Sequence, residues 1–268
     1  MQYDPIKRTL GEFFNRAPWM RKLFYKLLDL LLLRTWHVHR ELRKWRKTAP
    51  ENAHILDAGA GFGQYTYYMS GWSKKYCILA VDVKEEQVCD CNRFFREIGR
   101  ENVLFKIEDL THFKKPEAFD LVLCVDVMEH VEEDVRIMTN YYESLKEGGQ
   151  LIISTPSDEG GSDVHGDEEE SFIEEHVRDG YSPVDIKEKL KLAGFKRVKV
   201  HYQYGTPGKI SWRLSMKYPM KMLSISKLFF ILLPFYYLVT FPISAILNYI
   251  DSHSAHHTGT GLIVLAYK

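Results

Sequence analysis

A glycine-rich segment, Asp57-Ala-Gly59-Ala-Gly61-Phe-Gly63, follows directly on the short apolar run at residues 54–57. Glycine has no Cβ atom, so a backbone containing it can turn tightly and approach a ligand closely. When such a segment joins a buried strand to a helix, the ligand lies at the carboxyl edge of the sheet. The segment therefore predicts a small-molecule site at the end of a parallel strand.

The spacing of these glycines separates two classes of ligand. The dinucleotide-binding fingerprint is G-x-G-x-x-G, which counted from Gly59 and Gly61 requires a glycine at position 64. Gln64 stands there, and the third glycine is Gly63. The segment therefore does not fit the dinucleotide spacing.

Acidic residues follow three later apolar runs. Asp82 ends the run at residues 77–81, Asp109 follows residues 103–107, and Asp126 follows residues 119–125. A carboxylate can accept hydrogen bonds from both hydroxyls of a ribose. Asp82 or Asp109 taken alone could instead cap the following helix, so the inference rests on the order of the acids along the chain.

This order resembles the class I S-adenosylmethionine-dependent methyltransferases, and in particular the type 11 and quinone-precursor O-methyltransferases. The resemblance covers residues 52–155 and, more weakly, the closing strands. It implies S-adenosylmethionine as cofactor, with Asp82 on the ribose and Asp109 on the adenine amino group. The cofactor contacts that it implies are Asp57, Gly59, Gly61, Gly63, Asp82, Val83, Asp109, Leu110 and Asp126.

Glu129 and His130 are the first candidates for the chemistry. Methyl transfer requires an aligned acceptor, and an oxygen acceptor generally needs a base or a metal. The segment Asp126-Val-Met-Glu129-His130 is similar to the acid-x-x-Glu-His segment of quinone-precursor O-methyltransferases, which can hold a divalent cation. Asp126 replaces the usual Glu and shortens one ligand arm. We therefore expect no metal, with a divalent cation as the alternative and with Glu129 and His130 lining the cofactor pocket.

His176 and Arg178 form the second candidate pair. They follow the fifth predicted strand, where this fold places a segment that covers the acceptor. His176 could act as the base and Arg178 could hold an acidic group of the acceptor. The alternative is a surface helix in which Arg178 pairs with nearby acids. His165, in a glycine-containing loop, could belong to a lid.

Apolar runs alternate with helical patterns after residue 50. The strands are predicted at residues 54–57, 77–81, 103–107, 119–125, 150–154, 197–204 and 262–267. Strand–helix alternation with apolar strands is typical of a parallel sheet covered on both faces. We predict an α/β fold with a doubly wound, seven-stranded, mainly parallel sheet, in which a turn at Gly148 introduces the fifth strand.

The flanking segments define the predicted domain organisation. Residues 1–50 form a basic amphipathic extension with one helix over residues 18–46, and they carry twelve Lys or Arg against four Asp or Glu. Residues 51–205 form the methyltransferase core, which residues 259–268 complete as its last strand. Residues 206–258 are an apolar insertion between the last two strands.

The insertion contains twenty uncharged residues, 228–247. That length could span a bilayer, but both ends must return to the same sheet, and Pro234 and Pro242 are expected to break the run into shorter helices. Two interpretations remain open. The insertion either caps the acceptor pocket with its apolar residues inward, or lies in a membrane interface. The basic residues 209–227 favour an interface.

Composition places the chain among folded proteins, with 45% hydrophobic residues, 27% charged residues and a net charge of zero. Its four cysteines form no C-x-x-C pair, which favours a reduced intracellular protein. The N-terminal apolar stretch lacks the features of a secretory signal. We expect a cytoplasmic protein, with peripheral association at the inner face of the membrane as an extension of that expectation.

The function expected is methyl transfer from S-adenosylmethionine to a hydrophobic small molecule at oxygen: a lipid, quinone-like or phenolic acceptor. Transfer to nitrogen or carbon stays open. A non-catalytic scaffold that binds a partner or membrane through the insertion is the alternative. We expect no nucleic-acid substrate, because Asp126-Val-Met-Glu129 stands where base-amino methyltransferases carry Asn/Asp-Pro-Pro-Tyr/Phe.

Overall fold

The computed structural model describes residues 17–159, 177–226 and 228–268. Its strands are β1 (His54–Ala58), β2 (Cys77–Asp82), β3 (Val103–Ile107), β4 (Phe119–Val125), β5 (Leu145–Pro156), β6 (Arg197–Gln203) and β7 (Gly261–Tyr267). They form one seven-stranded sheet in the order β3-β2-β1-β4-β5-β7-β6. Strand β7 is antiparallel to both of its neighbours, and the other pairings are parallel. This is the Rossmann-like methyltransferase fold that was predicted.

Helices cover both faces of the sheet. They are α1 (Pro18–Leu31), α2 (Leu33–Arg46), α3 (Gln64–Ser70), α4 (Glu85–Glu97), α5 (Asp134–Ser144), α6 (Pro183–Leu192), α7 (Thr206–Trp212), α8 (Tyr218–Ile225) and α9 (Phe229–His253). A 3₁₀ turn spans Met128–His130, and a π-helical turn spans Arg213–Lys217.

Helix α2 packs on one face of the central strands. Val38 and Leu42 lie fully buried against Ile55 and Leu121. The opposite face is covered by α5 and α6. Each fully buried aliphatic side chain stabilises the fold by about 1.5–3 kcal/mol. The central strands are buried on both faces and are therefore apolar along their length, which is why the sequence predicted their positions.

The chain adds β2 and β3 on one side of β1, and β4 and β5 on the other side. The switch point of the strand order therefore lies between β1 and β4. In open α/β sheets, ligands bind at the carboxyl ends of the strands beside such a switch point. The glycine segment leaves β1 at this position, and Asp126 follows β4 there.

The prediction of one helix over residues 18–46 was wrong. Leu32 has an extended conformation with ψ near 111° and separates α1 from α2. Nothing in the local residue types requires this break. It allows α2 to pack on the sheet while α1 crosses the glycine segment, and the backbone N–H of Arg34 donates to the hydroxyl of Tyr204 at 3.1 Å. Tertiary contacts therefore override local helix propensity.

The prediction that Pro234 and Pro242 interrupt the insertion was also wrong, because α9 continues through both. Proline removes the hydrogen bond to the carbonyl four residues earlier. Those carbonyls belong to Phe230 and Leu238, both exposed residues, so solvent can satisfy them.

Strand β5 is longer than predicted. The prediction placed this strand at residues 150–154 after a turn at Gly148, but β5 begins at Leu145 and continues through Gly148, where φ is 76°.

The insertion forms a helical hairpin, here defined as residues 206–253. Its first arm consists of α7, the π turn and α8, and its second arm is α9. The hydroxyls of Tyr236 and Tyr237 donate to the carbonyls of Leu214 and Ser215, each at 2.7 Å. These bonds hold the two arms together.

The hairpin leaves the sheet at its carboxyl edge. Gln203 at the end of β6 pairs with Gly261 at the start of β7, and Gly261 pairs with Pro156 at the end of β5. Both connections to the hairpin therefore lie at the edge where β1 and β4 also end. The fold places the insertion beside the candidate site.

Candidate functional site

The glycine segment forms a turn that only glycine fits well. Gly59, Gly61 and Gly63 have φ values of 74°, 51° and 76°, a region that other residues rarely adopt. A Cβ atom on Gly59 would lie 2.2 Å from Cγ2 of Val127. A Cβ atom on Gly61 would meet no atom closer than 3.9 Å. The turn is thus closed on the Gly59 side and open beside Gly61, where a ligand can approach the backbone.

Asp82 orients this turn from the end of β2. One carboxylate oxygen accepts from the backbone N–H of Gly61 at 2.9 Å, and the other accepts from that of Lys84 at 2.9 Å. Each oxygen has a second lone pair, so the carboxylate can still accept hydrogen bonds from hydroxyl groups of a ligand. The neighbouring Val83 is exposed. These features fit a nucleoside with a ribose at Asp82.

Asp57 is a buried carboxylate beneath the turn. It accepts a short hydrogen bond from the hydroxyl of Thr66 in α3. Burial raises the pKa of Asp57 to about 6, and the Thr66 hydrogen bonds only partly counter that rise. A nearby cationic group, such as the α-amino group of a bound cofactor, would favour its ionised form.

Asp109 and Leu110 follow β3 in a tight turn. Asp109 accepts from the backbone N–H and the hydroxyl of Thr111, at 2.9 and 2.7 Å. These hydrogen bonds, with a further contribution from His112, lower the pKa of the exposed Asp109 carboxyl. Leu110 is buried under the turn. Asp109 therefore stabilises a local turn and caps no helix, since β4 is the next element along the described chain; its adenine contact stays a prediction.

Asp126 adopts a left-handed conformation at the end of β4, with φ of 51°. Non-glycine residues in this region are uncommon and cluster at functional sites. Its backbone N–H donates to the carbonyl of Ser154 at 2.9 Å, and its carboxylate forms an ion pair with Arg34. Both side chains are about one-third exposed, so this pair borders the open edge of the site.

Glu129 and His130 lie in the 3₁₀ turn after β4. The Glu129 side chain is buried and accepts from the hydroxyl of Thr155 at 3.1 Å. His130 is half-buried. Within residues 17–159, 177–226 and 228–268, no group of three or more His, Cys, Asp or Glu side chains is placed to hold a metal ion.

Arg178 belongs to a polar cluster centred on Asp134. The Asp134 carboxylate pairs with Arg178 and with Lys189, the latter at 2.8 Å, and accepts from Tyr181 at 2.9 Å. Burial alone would raise the pKa of Asp134, but these partners together lower it. Arg178 thus pairs with an acidic residue, which was the alternative to a role in binding the acceptor. His176 and His165 lie outside the described residues.

The structure adds residues from the N-terminal helices that sequence reasoning missed. Arg21 and Tyr25, both buried in α1, donate to the carbonyl of Phe62 inside the glycine segment, and the Arg21 bond is 2.9 Å long. Gln64 donates to Asp29 at 2.7 Å. Arg21 and Asp29 stood among many charged residues of a basic helix, with no spacing that singled them out.

A second set of unpredicted polar residues lies where β5 and β6 end. Gln203 is buried, and its Oε1 accepts from Ser154 at 3.3 Å. Its Nε2 has no hydrogen-bond partner among the residues that the structure describes. Tyr204 follows with φ of 57°. These groups lie at the same carboxyl edge as Asp126.

Comparison with known proteins agrees with this geometry. A family model described as a methyltransferase domain matches residues 50–201. The tRNA U34 carboxymethyltransferase of Helicobacter hepaticus is 25% identical over 167 residues, which cover 55% of this chain and 52% of that protein. The ubiquinone biosynthesis O-methyltransferase of Coxiella burnetii is 27% identical over 103 residues, covering 38% and 43%. The chain thus spans about half the length of these relatives.

A solved structure shares the fold. Phosphoethanolamine N-methyltransferase 2 of Haemonchus contortus, in complex with phosphomonomethylethanolamine and S-adenosylhomocysteine, aligns with a TM-score of 0.59 at 17% identity, covering 91% of this chain and 60% of that one. The family model covers more than half of the present sequence, and the glycine turn and its acids occupy the matched region. This chain therefore belongs to the S-adenosylmethionine-dependent methyltransferase family.

Proposed function

We propose that this protein transfers the methyl group of S-adenosylmethionine to an oxygen atom of a hydrophobic small molecule, namely a lipid, quinone-like or phenolic acceptor. We further propose that it works as a cytoplasmic protein bound peripherally to a membrane. One observation carries the proposal: an exposed apolar helical hairpin begins and ends at the sheet edge that holds the candidate site.

The cofactor is proposed to lie across the carboxyl edge of β1 and β2. It supplies a methyl group already activated on a sulfonium centre. Asp82 would hold the ribose and Asp109 the adenine amino group, with Val83 and Leu110 beside the ring. Asp57 would face the methionyl end, and Asp126 would border the acceptor side. The open space at Gly61 supports this assignment.

The acceptor would need alignment and, for a hydroxyl, removal of a proton. Among the described residues, His130 is the candidate for the base, because it lies just past β4 at the site and an imidazole nitrogen can accept a proton. Buried Glu129 is proposed to position this turn through Thr155. His176 remains a proposed second base, and Arg178 a proposed contact of an acidic acceptor group.

Exposure of the hairpin argues against an inward-facing cap. Leu238, Ile231 and Phe235 in α9 are 76%, 69% and 67% exposed. Exposed apolar patches of this kind mark interaction sites. One described helix, α9, is long and apolar enough to cross a membrane by length and composition.

Peripheral binding fits the hairpin better than a span. Lys209, Arg213, Lys217 and Lys221 recur every four residues along the first arm, and residues 206–227 contain no acid. The first arm packs along α9, so a spanning α9 would carry these charges into the hydrocarbon at high cost. A basic stripe beside an apolar helix is typical of helices lying in an anionic interface.

Cofactor binding is tested first by calorimetric titration with S-adenosylhomocysteine. We expect micromolar affinity, weakened about 5- to 150-fold by Asp82→Ala, which corresponds to about 1–3 kcal/mol of lost hydrogen bonding. Glu147→Ala is the control. Glu147 is exposed and lies near the start of β5, at the edge of the sheet opposite the candidate site. Absence of binding by well-folded protein would favour the scaffold alternative.

The acceptor is tested with methyl-labelled S-adenosylmethionine and three fractions: a membrane-lipid extract, an aqueous metabolite extract and bulk tRNA. We expect label in the lipid fraction, in a product whose methyl group is on oxygen by mass spectrometry. Label confined to the aqueous fraction or to tRNA would overturn the proposed acceptor class and leave the methyltransferase assignment intact.

A further inference from the structure

Helix α1 has two faces with different surroundings. Trp19, Leu23, Leu27 and Leu30 recur at helical spacing and are all exposed, with Trp19 at 65%. We call these four residues the outer stripe. The opposite face carries Arg21 and Tyr25, whose side chains are buried on the glycine segment.

The inner face is tied to the cofactor turn by polar contacts. Arg21 and Tyr25 both donate to the carbonyl of Phe62, which stands between two glycines of the motif. Arg21 also pairs with Asp90 in α4 at 3.4 Å. Any displacement of α1 would therefore break hydrogen bonds to the turn that is proposed to hold the cofactor.

Helix α1 is attached to the body more weakly than α2. Only two of its fourteen residues are buried, against eight of fourteen in α2. The extended residue Leu32 separates the two helices. An element with few buried residues opens at a lower free-energy cost than one with many, so α1 separates from the turn more easily than α2 separates from the sheet.

Helix α1, which carries the outer stripe, lies against the apolar hairpin, because α9 contacts both α1 and α2. The accessible charges near both are mainly basic, namely Lys22 and Lys26 on α1 and the four-residue basic stripe on the first arm of the hairpin. An apolar surface with a basic border is complementary to an anionic lipid interface.

We propose that an anionic membrane surface binds the outer stripe of α1 together with the hairpin, and that this docking and cofactor binding reinforce each other through α1. The inference rests on the membrane association proposed above. A bilayer that holds α1 in place stabilises the turn contacts at Phe62, and a bound cofactor that orders the turn stabilises α1 for the bilayer. Such coupling between two ligands is reciprocal.

The test is calorimetric titration of the full chain with S-adenosylhomocysteine in buffer, with vesicles of phosphatidylcholine, and with vesicles of equal parts phosphatidylcholine and phosphatidylglycerol. We expect the anionic vesicles to lower the Kd at least about fivefold, at the low end of common coupling strengths. Neutral vesicles should produce a smaller change. Flotation of the same samples reports how much protein is bound to the vesicles.

Two variants separate the steps. Leu23→Ser combined with Leu27→Ser should leave the Kd in buffer unchanged and abolish the effect of vesicles, whereas Leu192→Ser, an equally apolar exposed site on α6, should retain it. Tyr25→Phe keeps the ring and removes the bond to Phe62, so it should float like the natural protein and show a reduced vesicle effect.

The outcomes are distinguishable. Protein that floats with anionic vesicles but keeps the same Kd would overturn the coupling and leave membrane association standing. Protein that does not float would overturn both. A stable dimer in buffer that dissociates in the Leu23→Ser and Leu27→Ser variant would assign the outer stripe to a second copy of the chain and also overturn the inference.

Discussion

Gly59 and Gly99 both adopt left-handed backbone conformations, with φ of 74° and 69°, but their surroundings differ. Gly59 lies against Val127, whereas a Cβ atom on Gly99 would meet nothing within 4 Å. At the scale of single residues, this contrast separates the conformational cost of a side chain from its steric cost. It also shows what the glycine turn requires at Gly59.

We expect Gly99→Ala to lower the free energy of unfolding by about 1–2 kcal/mol, the cost of a left-handed alanine. Gly59→Ala should cost about 1–3 kcal/mol more, because its Cβ overlaps Val127, and it should weaken S-adenosylhomocysteine binding. Urea denaturation and calorimetry measure both effects. Equal losses for the two variants would show that the contact with Val127 does not constrain the turn.

Asp57 makes stability depend on pH in a defined direction. Its pKa is about 6 in the folded protein and near 3.8 when unfolded, so between these values the folded state binds more protons. Stability then falls as pH rises from about 4 to 6. The shift corresponds to at most about 3 kcal/mol.

Asp57→Asn should remove this dependence, because asparagine keeps an acceptor for Thr66 and carries no charge. In the absence of cofactor, we expect the variant to gain stability relative to the natural protein between pH 4 and pH 7, measured by urea denaturation. An unchanged difference between the two proteins across this range would mean that Asp57 does not titrate there.

At the scale of elements, a buried carboxylate joins the hairpin to the core. Asp251, near the end of α9, is fully buried. It lies 2.8 Å from Nε2 of His37 in α2 and accepts from the backbone N–H groups of Tyr204 and Gly208, at 3.2 and 2.9 Å. One side chain therefore ties the second arm to α2, to the end of β6 and to the start of the first arm.

Asp251→Ala should destabilise the protein by about 3–5 kcal/mol, because it leaves several buried groups without their partner. We expect the hairpin to become the first site of proteolysis, with the sheet still folded. Glu188→Ala, on the exposed side of α6, serves as control. A loss confined to about 0.5 kcal/mol would argue that hairpin packing, rather than Asp251, holds the hairpin.

At the scale of the whole molecule, charge and apolar surface are distributed unevenly. The net charge is zero, yet the N-terminal helices and the first arm of the hairpin are basic and α9 carries an exposed apolar surface. The basic first arm and the apolar α9 both connect to the sheet at its carboxyl edge. This placement predicts two separable contributions to vesicle binding.

Phe235→Ser combined with Leu238→Ser should reduce binding to anionic vesicles at every salt concentration, by about 1.5–3 kcal/mol per buried side chain. Lys209→Gln combined with Lys221→Gln should reduce it by about 1 kcal/mol per charge, and only at low ionic strength, where screening is weak. Vesicle flotation across a salt series measures both. Binding by the lysine variant that differs from the natural protein equally at all salt concentrations would contradict the electrostatic part.

The sequence alone was sufficient for the sheet and the glycine turn. Strands buried on both faces must be apolar along their length, and a backbone that closely approaches a ligand uses glycine. Both features can therefore be recognised from the residue types in short segments of the sequence. The family, the central strands and the place of the insertion could be inferred for this reason, whereas the edge strand β6 is recognised by its alternation of polar and apolar residues.

Only the tertiary structure decided how the flanking segments meet that core. The break at Leu32, the continuity of α9 through two prolines, and the contacts of Arg21 and Arg34 with the site depend on residues distant in sequence. A charged residue in a basic helix has no local signature of its eventual partner. Long-range packing, rather than local propensity, therefore set the position of α1 over the glycine turn and exposed the hairpin at the same edge.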